Sequence, residues 1–159
     1  EQGLVRYRYR PTERNLMRIS IGADHAGFEQ KEEIKEYLIQ RGYDVLDRGA
    51  YNEERVDYPD YAKKVARDIL VGDAERGVLV CGTGIGMAIA ANKIPGIRAA
   101  NVTTPQFARL SRQHNDANIV CISGRFVDIL TNEQIVDAFL ETAFEGGRHA
   151  ERVGKLESS

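Results

Sequence analysis

From Met17 onward, the chain switches repeatedly between a period of two and a period near 3.6. Arg18-Ile19-Ser20-Ile21-Gly22 reads as a short strand. Residues 27 to 41 set Phe28, Ile34, Leu38 and Ile39 among many charges, which predicts an amphipathic helix stopping at Gly42. Asp44-Val45-Leu46-Asp47 predicts a second strand. Residues 58 to 71 space Tyr61, Val65 and Ile69 four apart, a second helix ended by Gly72. Gly77-Val78-Leu79-Val80-Cys81 is continuously apolar, as a strand buried on both faces must be. A helix of small residues follows through Ala88-Ile89-Ala90-Ala91-Asn92. Gly96-Ile97-Arg98-Ala99-Ala100 predicts a fourth strand. Thr104 and Pro105 open the next helix as cap and first residue. Asn118-Ile119-Val120-Cys121-Ile122 predicts a fifth strand. Thr131-Asn132-Glu133-Gln134 matches a capping box before a helix carrying Ile135, Phe139 and Leu140. Arg148 to Lys155 predicts a short terminal helix.

Strands alternating with helices imply a parallel sheet covered on both faces. The expected fold is α/β: a single three-layer α/β/α Rossmann-like domain with a five-stranded parallel sheet, over residues 17–159. Met17 reads as a natural start. Residues 1–16 hold Arg6-Tyr7-Arg8-Tyr9-Arg10-Pro11, a basic and aromatic alternation that could touch nucleic acid or membrane. A disordered tail or cloning remnant outside the fold is the expectation.

Composition narrows the partners. The 159 residues fit one domain with a real core. A net charge of −2 gives no basic field for nucleic acid. No apolar run spans a bilayer, and no apolar leader opens the chain, so no membrane partner is expected. Two cysteines, Cys81 and Cys121, make no disulfide framework and point to a reducing, cytoplasmic setting. His25, His114 and His149 are scattered, with no Cys-x-x-Cys or His-x-x-x-His spacing, so neither metal nor cofactor is expected.

In open parallel sheets, ligands bind beyond the carboxyl ends of the strands. The residues at those ends are Asp24-His25, Cys81 with its glycines, and Gly124-Arg125. Gly82, Gly84 and Gly86 could form no more than a tight strand-to-helix turn, or could bring amides close to an anion. A Walker loop is excluded, because Met87-Ala88 replaces its Lys-Ser or Lys-Thr. The dinucleotide fingerprint also fails, since Ala99-Ala100-Asn101-Val102 stands where an acidic residue is needed. A smaller anion or an oxyanion fits better.

Cys81 could be a small core residue. Its place beside a helix amino end also suits a thiolate acting as a base. Cys121, apolar on both sides, belongs to the core. Asp24 could cap the next helix or serve as a carboxylate beside His25. His114 closes a helix, where the dipole alone accounts for it. Arg148, His149 and Arg152 read by default as a solvated basic face. Taken together, these groups supply a base, an acid, a carboxylate and phosphate-binding cations.

Five motifs occur in order: Gly22-Ala23-Asp24-His25-Ala26-Gly27-Phe28, Asp57-Tyr58-Pro59, Cys81 to Gly86 with Ala90-Ala91-Asn92-Lys93, Ser111 to Asp116, and Glu145-Gly146-Gly147-Arg148-His149. From about Met17 to Val153 the chain resembles the type B ribose-5-phosphate isomerases, whose family also holds galactose-6-phosphate isomerase subunits. The resemblance implies metal-free interconversion of ribose 5-phosphate and ribulose 5-phosphate through an enediolate. It implies Cys81 as the base, Asp24 as a proton shuttle, and His114 with Thr83 as ring-opening groups. The amides of Gly82, Gly84, Ile85 and Gly86 would hold the enediolate. His25, Arg148 and Arg152 would hold the phosphate, with Asn115 and Arg125 adding contacts. It further implies a homodimer or tetramer with sites shared between subunits. A family branch replaces the cysteine by a glutamate just past the loop. Met87 stands there instead, so the base rests on Cys81. Allose 6-phosphate or galactose 6-phosphate is the alternative substrate, and a non-catalytic sugar-phosphate-binding module the alternative class.

Overall fold

The computed structural model describes residues 17–158, so the expectation for residues 1–16 lies outside the described residues. Eleven elements alternate: β1 Arg18–Ala23, α1 Phe28–Gln40, β2 Asp44–Asp47, α2 Tyr58–Leu70, β3 Arg76–Cys81, α3 Ile85–Asn92, β4 Ala99–Asn101, α4 Pro105–Asn115, β5 Ile119–Ser123, α5 Ile129–Glu141 and α6 Arg148–Glu157. The strands form one sheet in the order β2-β1-β3-β5-β4, every pair parallel. None of the described helices is long and apolar enough to cross a membrane.

The apolar run of β3 is divided between two cores. Val78 and Val80 pack with Ile34, Leu38, Ile135 and Phe139 from α1 and α5. Leu79 and Cys81 pack with Val65, Ala66, Met87 and Ala91 from α2 and α3. Alternate side chains of a strand face opposite ways, so a central strand between two helical layers must be apolar throughout. The α/β/α layering follows from this division.

Two elements depart from expectation. The fourth strand is Ala99–Asn101, not residues 96–100. Gly96 turns the chain with φ +91°, Ile97 N–H returns to Ile94 O, and Arg98 N–H donates to the Asn118 side chain. Those bonds hold the segment in a turn, outside the ladder. The α5 helix begins at Ile129, ahead of the expected capping box. Asp128 is its cap, accepting from Thr131 N–H at 2.8 Å. Thr131 and Asn132 are therefore inside the first turn, and Asn132 is fully buried with its amide bonded to Ser123 O.

Asp68 ties α2 to the sheet. Its buried carboxylate accepts from Ser20 Oγ at 2.7 Å and from two guanidinium nitrogens of Arg48. Burial pushes the carboxyl up, but the bonds from Arg48 and Ser20 outweigh burial and hold it below its ordinary range. A lowered folded pKa adds stability above the unfolded value, and that contribution is lost as pH falls through the folded one. Asp68→Asn should therefore cost about 1–3 kcal/mol at neutral pH. Denaturant melts should show the gap from wild type narrowing as pH falls below the usual carboxylate range. A pH-independent gap would assign the effect to packing.

Candidate active site

The winding of the sheet reverses between β1 and β3, since the chain leads from β1 outward to β2 and from β3 the other way to β4. The crevice at such a switch point is where open α/β sheets bind ligands. Asp24 follows β1 and Cys81 ends β3, so both stand at its mouth. The two strand ends are joined directly, with Asp24 N–H donating to Val80 O at 3.2 Å.

Cys81 is 5% exposed. Its Sγ accepts from Gly84 N–H at 3.2 Å, the amide just before α3. Gly84 has φ +86°, and a Cβ there would lie 2.5 Å from Asn101 Nδ2, so only glycine permits this approach. Thr83 is exposed beside the sulfur's donor, its Oγ1 accepting from Ile85 N–H at 3.0 Å. Gly82 O accepts from Ser123 Oγ at 2.7 Å and from Arg125 N–H at 3.2 Å. Those bonds pin the loop to the end of β5. The Arg125 guanidinium lies over Gly82, 3.6 Å from where a Cβ would stand. The amides of Gly84, Ile85 and Gly86 open α3 at its positive end, where a developing anion is favoured.

Asp24 is buried, and its Oδ1 accepts from Gly27 N–H at 3.0 Å. This turn is pressed onto β3, because a Cβ on Gly27 would meet Val80 O at 2.3 Å. The bond closes a turn ahead of α1, whose N-cap is Gly27 with no side-chain cap bond, so Asp24 does not cap the helix as the sequence allowed. His25 is half-buried, and its Nδ1 accepts from Val56 N–H at 3.2 Å. Nδ1 is thereby the acceptor, leaving Nε2–H to donate to an anion. Cys121 is fully buried on β5, and burial pushes its thiol far up, so it stays protonated in the core.

The remaining expected residues form a second group. His114 and Asn115 end α4, which runs from the carboxyl end of β4 to the amino end of β5. They therefore sit at the amino edge of the sheet. Eleven helical residues separate that edge from the loop side by about 16 Å. Arg148 and Arg152 are one turn apart on α6, which packs against α4. His114, Asn115, His149, Arg152, Val153 and Leu156 line a cavity of about 350 Å³. The rings of His114 and His149 stack at 4.4 Å, so these histidines are not scattered as the sequence spacing suggested. Burial, then the charges of Arg148 and His114, lowers the His149 pKa from its ordinary value. Asp24, His25, Cys81, Thr83, Gly82, Gly84, Ile85, Gly86 and Arg125 thus gather at one edge. His114, Asn115, Arg148 and Arg152 gather at the other.

Three contacts around these groups had no place in the sequence reading. Ser123 braces the loop from the register position opposite Cys81. The Tyr58 ring lies against Gly86, 2.7 Å from where its Cβ would be. Glu145 brings a carboxylate oxygen 3.5 Å from His149 Nε2. The first two contacts are long-range, and no spacing in the chain encodes them. The Glu145-x-x-x-His149 spacing was visible, but Glu145 lies ahead of α6, and the turn through Gly146 and Gly147 that brings it back to His149 has no periodic signal.

Comparison with known proteins matches the ribose/galactose isomerase family model over residues 19–156. Ribose-5-phosphate isomerase B of Escherichia coli is 47% identical over 138 residues, covering 87% of this chain and 93% of that protein. The crystal structure of a Thermotoga maritima ribose 5-phosphate isomerase superposes with a TM-score of 0.88 at 52% identity, covering 89% of this chain and 97% of that one. The Mycoplasma genitalium ribose-5-phosphate isomerase B, solved with bound ribulose 5-phosphate, superposes at 0.83 with 44% identity, covering 87% and 93%. With the same sheet and a match along nearly all the described residues, the chain belongs to the ribose/galactose isomerase family.

Proposed function

We propose that this chain, through residues 17–159, interconverts ribose 5-phosphate and ribulose 5-phosphate with Cys81 as the base. The observation that carries this is the Cys81 sulfur accepting a helix-start amide at the switch point, beside a buried carboxylate. Cys81 takes the proton from C2 of the open-chain sugar. The C2–H electron pair forms the C1–C2 double bond, and the carbonyl pair moves onto O1. The resulting enediolate is held by the amides of Gly82 and Gly86, joined by those of Gly84 and Ile85 as they leave Cys81 Sγ and Thr83 Oγ1, and such donors are worth most where charge develops. Returning the proton to C1 completes the ketose. Asp24 moves protons between O1 and O2. No step requires a metal or a redox cofactor, since the reaction only relocates a proton and an electron pair.

Ring opening needs an acid at the ring oxygen, and the phosphate needs cations. His114 with Thr83 fills the first role, and His25, Arg148 and Arg152 the second, with contacts from Asn115 and Arg125. His114, Arg148 and Arg152 stand at the opposite edge of the same chain from Cys81. A second copy related by two-fold symmetry supplies them, so the working unit is a homodimer or a pair of dimers with shared sites. Ile85 and Ile89 support this reading. They are more than half exposed one turn apart on α3, beside the loop, an apolar face suited to a partner. Two free cysteines, both buried, support a reducing, cytoplasmic setting.

Turnover assays on ribose 5-phosphate, allose 6-phosphate and galactose 6-phosphate test the reading. The pentose should be preferred by at least about tenfold in kcat/KM, the usual scale for one carbon's difference in a pocket. Preference for a hexose phosphate would reassign the substrate. Tight binding without turnover would make the chain a sugar-phosphate-binding module.

A further inference from the structure

His149 has a ring nitrogen that the isomerase chemistry does not use. Its side chain is 8% exposed, yet Nε2 has no hydrogen-bond partner among the described residues. Buried polar atoms are nearly always satisfied, so an orphan calls for an explanation. The nearest acceptor, Glu145 Oε1, is 3.5 Å away, too far for a good bond. One donor atom from each of His114, Glu145 and His149 lies within 4.8 Å of the other two. The two imidazoles stack nearly parallel, at 13°, so the His114 ring must turn out of the stack for both nitrogen lone pairs to meet one ion. Tetrahedral donors at zinc bond lengths stand about 3.4 Å apart. Glu145 is exposed in the irregular segment just before α6, so its carboxylate can swing in to close the difference.

We propose that His114, Glu145 and His149 bind a divalent transition metal of the zinc class, and that its binding switches the isomerase off. Two imidazoles and a carboxylate form a ligand set of borderline softness that suits zinc and leaves a fourth position open. Arg148 and Arg152 stand nearby and oppose a dication. The site is therefore weaker than a closed, cysteine-rich one, as a reversible inhibitor site requires. Occupancy ties up the ring nitrogen of His114 that would carry the ring-opening proton. This switching half rests on the role proposed for His114, and the binding half does not.

Titration of the full chain with Co²⁺ tests the site. The spectrum should show nitrogen and oxygen coordination without a thiolate charge-transfer band, and Cys81→Ser should leave it unchanged. Affinity should fall at least about tenfold in both His149→Ala and Glu145→Gln. Equal affinity in wild type and His149→Ala would overturn the site, as would a thiolate band lost in Cys81→Ser. Zn²⁺ should displace Co²⁺ and inhibit wild-type turnover of ribose 5-phosphate over the same concentration range. Glu145→Gln should keep its basal turnover and lose most of that inhibition. Binding without inhibition would overturn the switch. A chain with no turnover would sink the functional reading and the switch with it, while the spectral titration still decides the site.

Discussion

Cys81→Ala should lower kcat on ribose 5-phosphate by at least about a hundredfold, the lower scale for loss of a general base. Neither the second thiol nor the residue just past the loop can replace the sulfur. Cys121, the other thiol, is fully buried and held protonated by burial. Met87, just past the loop, is buried and carries no proton. KM should change little, because the substitution alters none of the groups proposed to hold the phosphate. Exchange of the C2 hydrogen with solvent should fall in parallel, which separates loss of the base from slow ring opening. The substitution removes one atom from a side chain already close to alanine in size, so the fold should survive. Near-normal turnover would remove Cys81 from the mechanism.

The layers and the loop were legible because their causes are local. The unbroken apolar run of β3 has one simple reading, and the helix after it begins where glycine permits a left-handed turn at Gly84. Two boundaries were misread where short-range signals competed. Thr131 to Gln134 has the letters of a capping box, but Asp128 reaches the Thr131 amide first and starts α5 earlier. Gly96 to Ala100 has a strand's composition, but the left-handed turn at Gly96 and the Asn118 side chain hold its first half out of the sheet. The rule that ligands bind beyond strand ends pointed to Asp24, Cys81 and Arg125, and the structure gathers them at one edge of the sheet. It gave no place for His114, which precedes a strand and is brought beside His149 by the packing of α6 on α4. That contact joins residues far apart in sequence, and no periodicity records it.

The proposed shared-site dimer makes a prediction that a mixing experiment can read. Cys81→Ala and His114→Ala homodimers should each be nearly inactive, every site lacking one group. In a heterodimer of the two, one site lacks both groups and the other has both. The intact site takes Cys81 from the His114→Ala chain and His114 from the Cys81→Ala chain. Equal amounts, unfolded together and refolded, give about half heterodimers by random pairing, each with one working site of two. Activity should therefore recover to about a quarter of wild type, well above either parent. A shared site is the only arrangement in which two dead chains make a live one. If each chain instead held a complete site of its own, the mixture would be no more active than the average of its parents. Such a result would return His114 to the simpler role of a charge at the end of α4.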